Sequence, residues 1–195
     1  MSSEKLNATR NRILEAAQRI LEGEDPGKSR MNDIAKAAGI SRQALYLHFP
    51  SRSELLIATA RHLDGVHDVD AQLAASRAAQ SGVERLDAFI EAFGNHIPKV
   101  WGVARAFMAM MDSDEAARDA WHDRMQAVRH GCAAAVADLE RDGQLADHWT
   151  HDQATDWLWM LLSMRNWELL VRECGWSQGD YITQMQRSAR EVLIG

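Results

Sequence analysis

The stretch MNDIAKAAGISRQALYLHFPSR, between Arg30 and Ser53, constrains the fold of this chain more than any other. Asn32 or Asp33 suits the start of a helix that turns Ile34, Ala35 and Ala38 inward. Gly39 then ends that helix, because glycine alone enters the left-handed region at little cost, and Ile40 fills the angle that follows. Ser41 suits the cap of a second helix. At about 100° per residue, Gln43, Tyr46 and Leu47 share one face of it, Arg42 and Ala44 flank that face, and Leu45 points the other way. Pro50 stops the helix, and Ser51 or Ser53 can open the next. Two short helices at a glycine corner, the second with a polar outer face, form a helix-turn-helix, a motif that sets such a face into the major groove of duplex DNA.

The residue types on that face fit the chemistry of a groove. Glutamine pairs bidentately with adenine, arginine with guanine, and an apolar tip meets a thymine methyl. Base reading is therefore expected of Arg42, Gln43 and Leu47, with a core position as the other reading of Leu47. Tyr46 and His48, with Lys28 and Ser29 before the motif and Arg52 after it, are expected to face phosphate and sugar, and Ser41 and Ala44 complete the residues expected at the DNA. Charge agrees with this division. The chain carries −6 overall, yet residues 1–62 hold ten Lys/Arg against seven Asp/Glu, and the remainder twelve against twenty-one. An acidic body leaves only the basic lobe suited to a polyanion.

The TRNRILEAA run from Thr9 to Ala17, Asp33-Ile34-Ala35, Ala38-Gly39-Ile40-Ser41, Leu45-Tyr46-Leu47-His48-Phe49 and Leu55 resemble the tetracycline-repressor (TetR) family. The likeness covers about the first 60 residues. It implies an all-α homodimer with an N-terminal three-helix DNA-binding domain and a divergent helical domain that binds a small-molecule inducer and releases a DNA operator. Family members commonly carry threonine where this chain has Ala44, which lacks the hydroxyl, and lysine where it has Arg52, which keeps the charge.

The rest of the chain reads as helices joined by short loops, about nine in all, with residues 1–52 as the helix-turn-helix domain and 53–195 as the ligand-binding and dimerisation domain. Helices are expected at Thr9–Leu21, Ser53–Ala75 with a bend near Gly65, Val83–Ile97, Trp101–Met111, Asp114–Arg141, His151–Cys174 and Ser177–Ile194. The last carries a stripe of 3.6-residue period through Tyr181, Met185, Ser188, Ala189, Val192 and Leu193 that needs a partner, and the resemblance supplies one: the last two helices pair with those of a second copy.

All seven tryptophans lie beyond residue 100. Trp101, Phe107, Met108, Met111, Trp121, Met125, Trp157, Met160 and Met164 either line an adaptable pocket for an apolar or aromatic molecule or fill the core and dimer seam. Arg105, Arg165 and Glu168 are the candidates to orient its polar end, unless Arg165 and Glu168 simply pair with each other. Other chemistry finds little support. Gly23 to Ser29 falls one residue short of a phosphate loop and follows a helix, and the histidines lack partners at metal-ligand spacing. Cys132 and Cys174 form neither a disulfide framework nor a zinc site, and no run is apolar for long enough to be a signal or a span. A cytoplasmic regulator without cofactor, metal or enzymatic activity is the expectation; a helical carrier or enzyme whose N-terminal lobe no longer binds DNA is the alternative.

Overall fold

The computed structural model describes the chain from Ser3 to Gly195, with side chains from Glu4 onward except that of Lys28. Among these residues the regular structure is helical: α1 (Ser3–Glu22), a 3₁₀ turn (Pro26–Lys28), α2 (Met31–Ala37), α3 (Arg42–His48), α4 (Arg52–Val66), α5 (Val69–Gln72), α6 (Ala74–Ala78), α7 (Gly82–Met110), α8 (Glu115–Arg141), α9 (His151–Leu161), α10 (Met164–Trp167), π-helical turns (Glu168–Glu173) and α11 (Gln178–Leu193). None of these helices is long and apolar enough to cross a membrane. The packing forms two compact units. One runs through Val66 and includes Val100–Met125; the other comprises His67–Lys99 and Gln126–Gly195.

In the first unit, Ile13, Leu14 and Ala17 of α1 bury against Ile34 and Ala35 of α2, Leu45 of α3 and Leu55 of α4. Gly39 has φ +66, and the amides of Gly39 and Ile40 bond back to the carbonyls of Lys36 and Ala35. This double closure is the ending that glycine permits. Ser41 caps α3 by accepting the Ala44 amide at 3.1 Å. α2 differs from expectation: it starts at Met31 after Arg30, which offers no side-chain cap, so Asn32 and Asp33 stand inside its first turn.

Three further expectations are corrected. The fourth helix ends at Val66 rather than near Ala75, and the chain breaks at Asp68, which holds φ +48 and accepts the Ala71 amide as the cap of α5. Pro98 does not divide a helix in two; α7 passes through it. A proline there leaves the carbonyl four residues earlier without its helical donor. In the second unit that carbonyl, on Gly94, instead accepts the Gln178 side-chain amide at 2.8 Å, while the Gln178 Oε1 accepts the Trp167 indole N–H at 2.8 Å. Lastly, the helix expected over His151–Cys174 is interrupted at Ser163. There Asn166 Nδ2 donates to the carbonyls of Met160 and Leu161, capping α9, and Ser163 Oγ accepts the Arg165 amide.

Gln178→Ala removes the donor that offsets Pro98 and takes an acceptor from Trp167 together. A loss of about 1–3 kcal/mol is expected, the usual effect of stripping a buried group of its partner, measured by urea unfolding.

Candidate nucleic-acid interface

The outer face of α3 stands apart from the core beneath it. Leu45 is fully buried and Phe49 nearly so, whereas Leu47 is 84% exposed and Arg42, Gln43 and Tyr46 face solvent. Ala44 and His48 are half-buried at the edges of the face. Of the two readings of Leu47, the core position is thereby removed. A leucine this exposed in the middle of a short helix gains nothing from packing in the free protein, and a large apolar tip in water is more informative than one inside.

Two arginines are ordered by aromatic neighbours. The Arg42 guanidinium lies 5.5 Å from the centre of the Tyr46 ring, with Nη2 3.4 Å from the phenol oxygen, so two residues of the outer face support one another. Arg10 of α1 sits 4.2 Å from the centre of the Phe49 ring and donates from Nη1 to the carbonyl of His48 at 3.1 Å. It thus places a cation on the C-terminal end of α3, where the helix dipole favours one. The sequence does not announce this role, because the two residues lie 38 positions apart.

Two expected phosphate contacts are corrected. Ser29 is buried, with its hydroxyl and carbonyl both taken by Arg52. Arg52 in turn binds both oxygens of the Asp114 carboxylate, at 2.6 and 2.7 Å. A guanidinium so fully partnered inside the protein is not a free cation at its surface. Burial alone would raise the Asp114 carboxyl, but hydrogen bonds from Arg52 and from the Ala117 and Ala116 amides, with the Arg52 charge, outweigh it and hold the group below the ordinary carboxylate range. Lys28 is an expected contact whose side chain lies outside the described residues.

The residues expected around a ligand divide between the units. In the first, Phe107 and Met108 are buried, Trp101, Met111, Trp121 and Met125 are half-buried, and Arg105 is exposed. In the second, Met164 is buried, Trp157 and Glu168 are half-buried, and Met160 and Arg165 are exposed. Arg105 and Arg165 therefore face water rather than an interior. Arg165 pairs with Glu168 at 3.0 Å, the second of the two roles the spacing allowed. One polar group inside the second unit was not foreseen. The Tyr181 hydroxyl is buried without a hydrogen-bond partner among the described residues, and burial pushes its ionisation upward. A tyrosine on an apolar stripe reads as core, so periodicity gave no hint of it.

A family model described as bacterial regulatory proteins, tetR family, matches residues 13–59, the span from α1 into α4. The HTH-type transcriptional regulator EthR of Mycobacterium tuberculosis is 31% identical over 135 residues, covering 67% of this chain and 60% of EthR. The chain belongs to the TetR family. This TetR-family chain spans under two thirds of the length of its EthR relatives. It is also 33% identical over 85 residues to the HTH-type transcriptional regulator TtgR of Pseudomonas putida, covering 44% of this chain and 39% of TtgR. The likeness in fold extends beyond that stretch to most of the chain. A TetR-family regulator from Rhodococcus sp. superposes with a TM-score of 0.73 at 21% identity, covering 95% of this chain and 98% of that one. A regulator from Saccharomonospora viridis in complex with choline gives 0.73 at 21% identity, covering 97% and 99%. FadR of Bacillus subtilis, in complex with stearoyl-CoA, gives 0.73 at 13% identity, covering 91% and 96%.

Proposed function

We propose that this TetR-family chain is a cytoplasmic, ligand-responsive repressor. As a homodimer it binds a roughly palindromic DNA operator, and a small, largely apolar or aromatic inducer releases it. Residues 1–52 serve as the DNA-binding domain and 53–195 as the ligand-binding and dimerisation domain. The observation that carries the reading is the outer face of α3, where Arg42, Gln43, Tyr46 and Leu47 are exposed together above a buried Leu45. Those tips supply the donors, acceptor and methyl surface that base edges recognise.

Arg42, Gln43 and Leu47 read bases, and Ser41, Ala44, Tyr46, His48 and Lys28 lie along the backbone. Dimerisation uses the last two helices. The inward stripe of α11, including Tyr181, Met185 and Leu193, is already buried within one chain, so the second copy covers the side that leaves Met160, Leu169 and Trp176 exposed. Two-fold pairing spaces the two reading helices about one DNA turn apart, ~34 Å. The tryptophan- and methionine-rich interior supports an apolar ligand, since such side chains adapt their shape to a guest. An inducer that prefers lobes wrongly spaced for successive grooves lowers operator affinity by a coupling energy of roughly 1–3 kcal/mol.

Titration with salt tests the DNA reading. Affinity for a random duplex is expected to fall with a log–log slope of about −0.9 per phosphate neutralised. A flat response points to a carrier or enzyme instead. Arg42→Ala and Gln43→Ala should each relax preference at one base pair by about 1–3 kcal/mol with that slope unchanged. Equal weakening on every sequence would show that these side chains touch phosphate.

A further inference from the structure

Ser29, Arg52 and Asp114 form a junction whose geometry points to a role beyond stability. Ser29 lies just before α2, Arg52 opens α4 just after α3, and Asp114 directly precedes α8. The helix-turn-helix is thus bracketed by Ser29 and Arg52, and one guanidinium closes the bracket. Its Nε donates to the Ser29 carbonyl at 2.7 Å and its Nη2 to the Ser29 hydroxyl at 2.8 Å. Its Nη1 reaches both Asp114 oxygens. Asp114 is itself held, accepting the Ala117 amide at 3.3 Å as α8 begins. Only arginine fits such a junction, because its planar fork presents several donors in fixed directions while an ammonium is a point charge.

Other contacts continue along the same pair of helices. Ser53 donates to Asp119 at 2.7 Å, Arg61 pairs with Asp123, and Arg124 bridges Asp64 and Asp123. These join α4 to the first turns of α8 but lie outside the bracket. Arg52 differs in fixing both ends of the reading motif to one carboxylate at the turn between α7 and α8.

We infer that Arg52 is a positioning residue for DNA reading, through which the α7–α8 corner at Asp114 sets the orientation of α3 and hence its sequence selectivity. The inference rests on the DNA-reading function proposed above. It explains how a corner distant in sequence can bias recognition: a shift of Asp114 carries both ends of the helix-turn-helix together, and packed elements respond to such shifts as units.

The test compares Asp114→Asn, Arg52→Lys and Asp123→Asn in the full chain. Binding is measured on a duplex that the wild-type protein enriches from a random pool and on an unselected duplex, over a series of salt concentrations, with a thermal melt of each variant. Asp114→Asn and Arg52→Lys should lower the ratio of the two affinities about tenfold or more, the scale of a lost charge-assisted hydrogen bond. The salt slope should stay unchanged because no phosphate contact is lost. Asp123→Asn should lower the melting temperature comparably yet keep the ratio. If Asp114→Asn does not fold, Arg52→Lys carries the comparison. Wild-type selectivity in the Arg52 and Asp114 variants overturns the inference. So does tighter binding of both duplexes by Asp114→Asn with a slope steeper by about one phosphate, which would mean that Asp114 competes with DNA for Arg52. A wild-type chain that enriches and binds no duplex overturns the DNA reading itself.

Discussion

Leu45→Ala is expected to cost the helix-turn-helix about 2–5 kcal/mol, the range for emptying a filled aliphatic position, and specific DNA binding with it. Leu45 is fully buried among Ile34, Ala35, Phe49 and Leu55, where α2, α3 and α4 meet the first helix. Domains of this size have only about 5–15 kcal/mol to lose, so the substitution should unfold the lobe at physiological temperature or bring it close. Leu47→Ala, two positions along the same helix, should change stability by under roughly 0.5 kcal/mol, because the side chain already stands in water. Its effect should appear only on DNA, as weaker preference for the base pair whose methyl group it meets. Thermal unfolding and duplex binding of the two variants separate the roles. A Leu47→Ala chain that melts as early as Leu45→Ala would show that the exposed leucine packs in solution and does not read DNA.

The contrast between these leucines marks what a sequence can disclose. Both belong to one helix with its cap, glycine corner and proline stop close by, so rotation about a single axis assigns their directions. Local signals located α3, α8 and α11 nearly to the residue. They did less well wherever a helix turn has no buried side. The first helix begins at Ser3 rather than Thr9, and residues 4–8 are all exposed, leaving no apolar period to detect. Pro98 misled for a different reason. Its rule is local, but the compensation comes from Gln178, 84 positions beyond the Gly94 carbonyl it serves. Asn166 likewise ends α9 by reaching back to carbonyls, through an amide whose direction no hydropathy pattern encodes.

The same distinction governs the site. Exposure of the reading face follows from period and capping, whereas the positions of Arg52 and Ser29 depend on a carboxylate 62 residues further along the chain. A basic residue at a helix start looks available to phosphate until its acid is known. Arg165 and Glu168, three residues apart on one surface, already contained their pairing in the spacing. Tryptophan and methionine cluster in the second half of the chain, yet of the nine apolar residues expected to line a pocket or fill the core only Phe107, Met108 and Met164 are buried, because composition does not say which side chains turn inward.

Gly131→Ala should destabilise the second unit by about 1–3 kcal/mol through overpacking. A Cβ at this position of α8 would lie 2.4 Å from the Phe89 ring of α7, inside any tolerable contact, and that ring is itself stacked on Phe93 at 6.5 Å. The obstacle is the end of a side chain, so shortening it should help: Phe89→Leu combined with Gly131→Ala is expected to recover part of the loss, giving a coupling of about 0.5–3 kcal/mol in a double-mutant cycle. Gly82 makes the opposite case. A Cβ there would come within 2.6 Å of the Leu139 amide nitrogen and 2.7 Å of the Asp138 carbonyl, which are backbone atoms of α8. No side-chain change opens that space, and Gly82→Ala should force the two helices apart at a loss of at least about 1–3 kcal/mol without local rescue. Urea unfolding of the three single variants and the double variant tests the pair. Purely additive losses at Phe89 and Gly131 would mean that α8 shifts to admit the methyl, and that the close approach of these helices does not fix their packing.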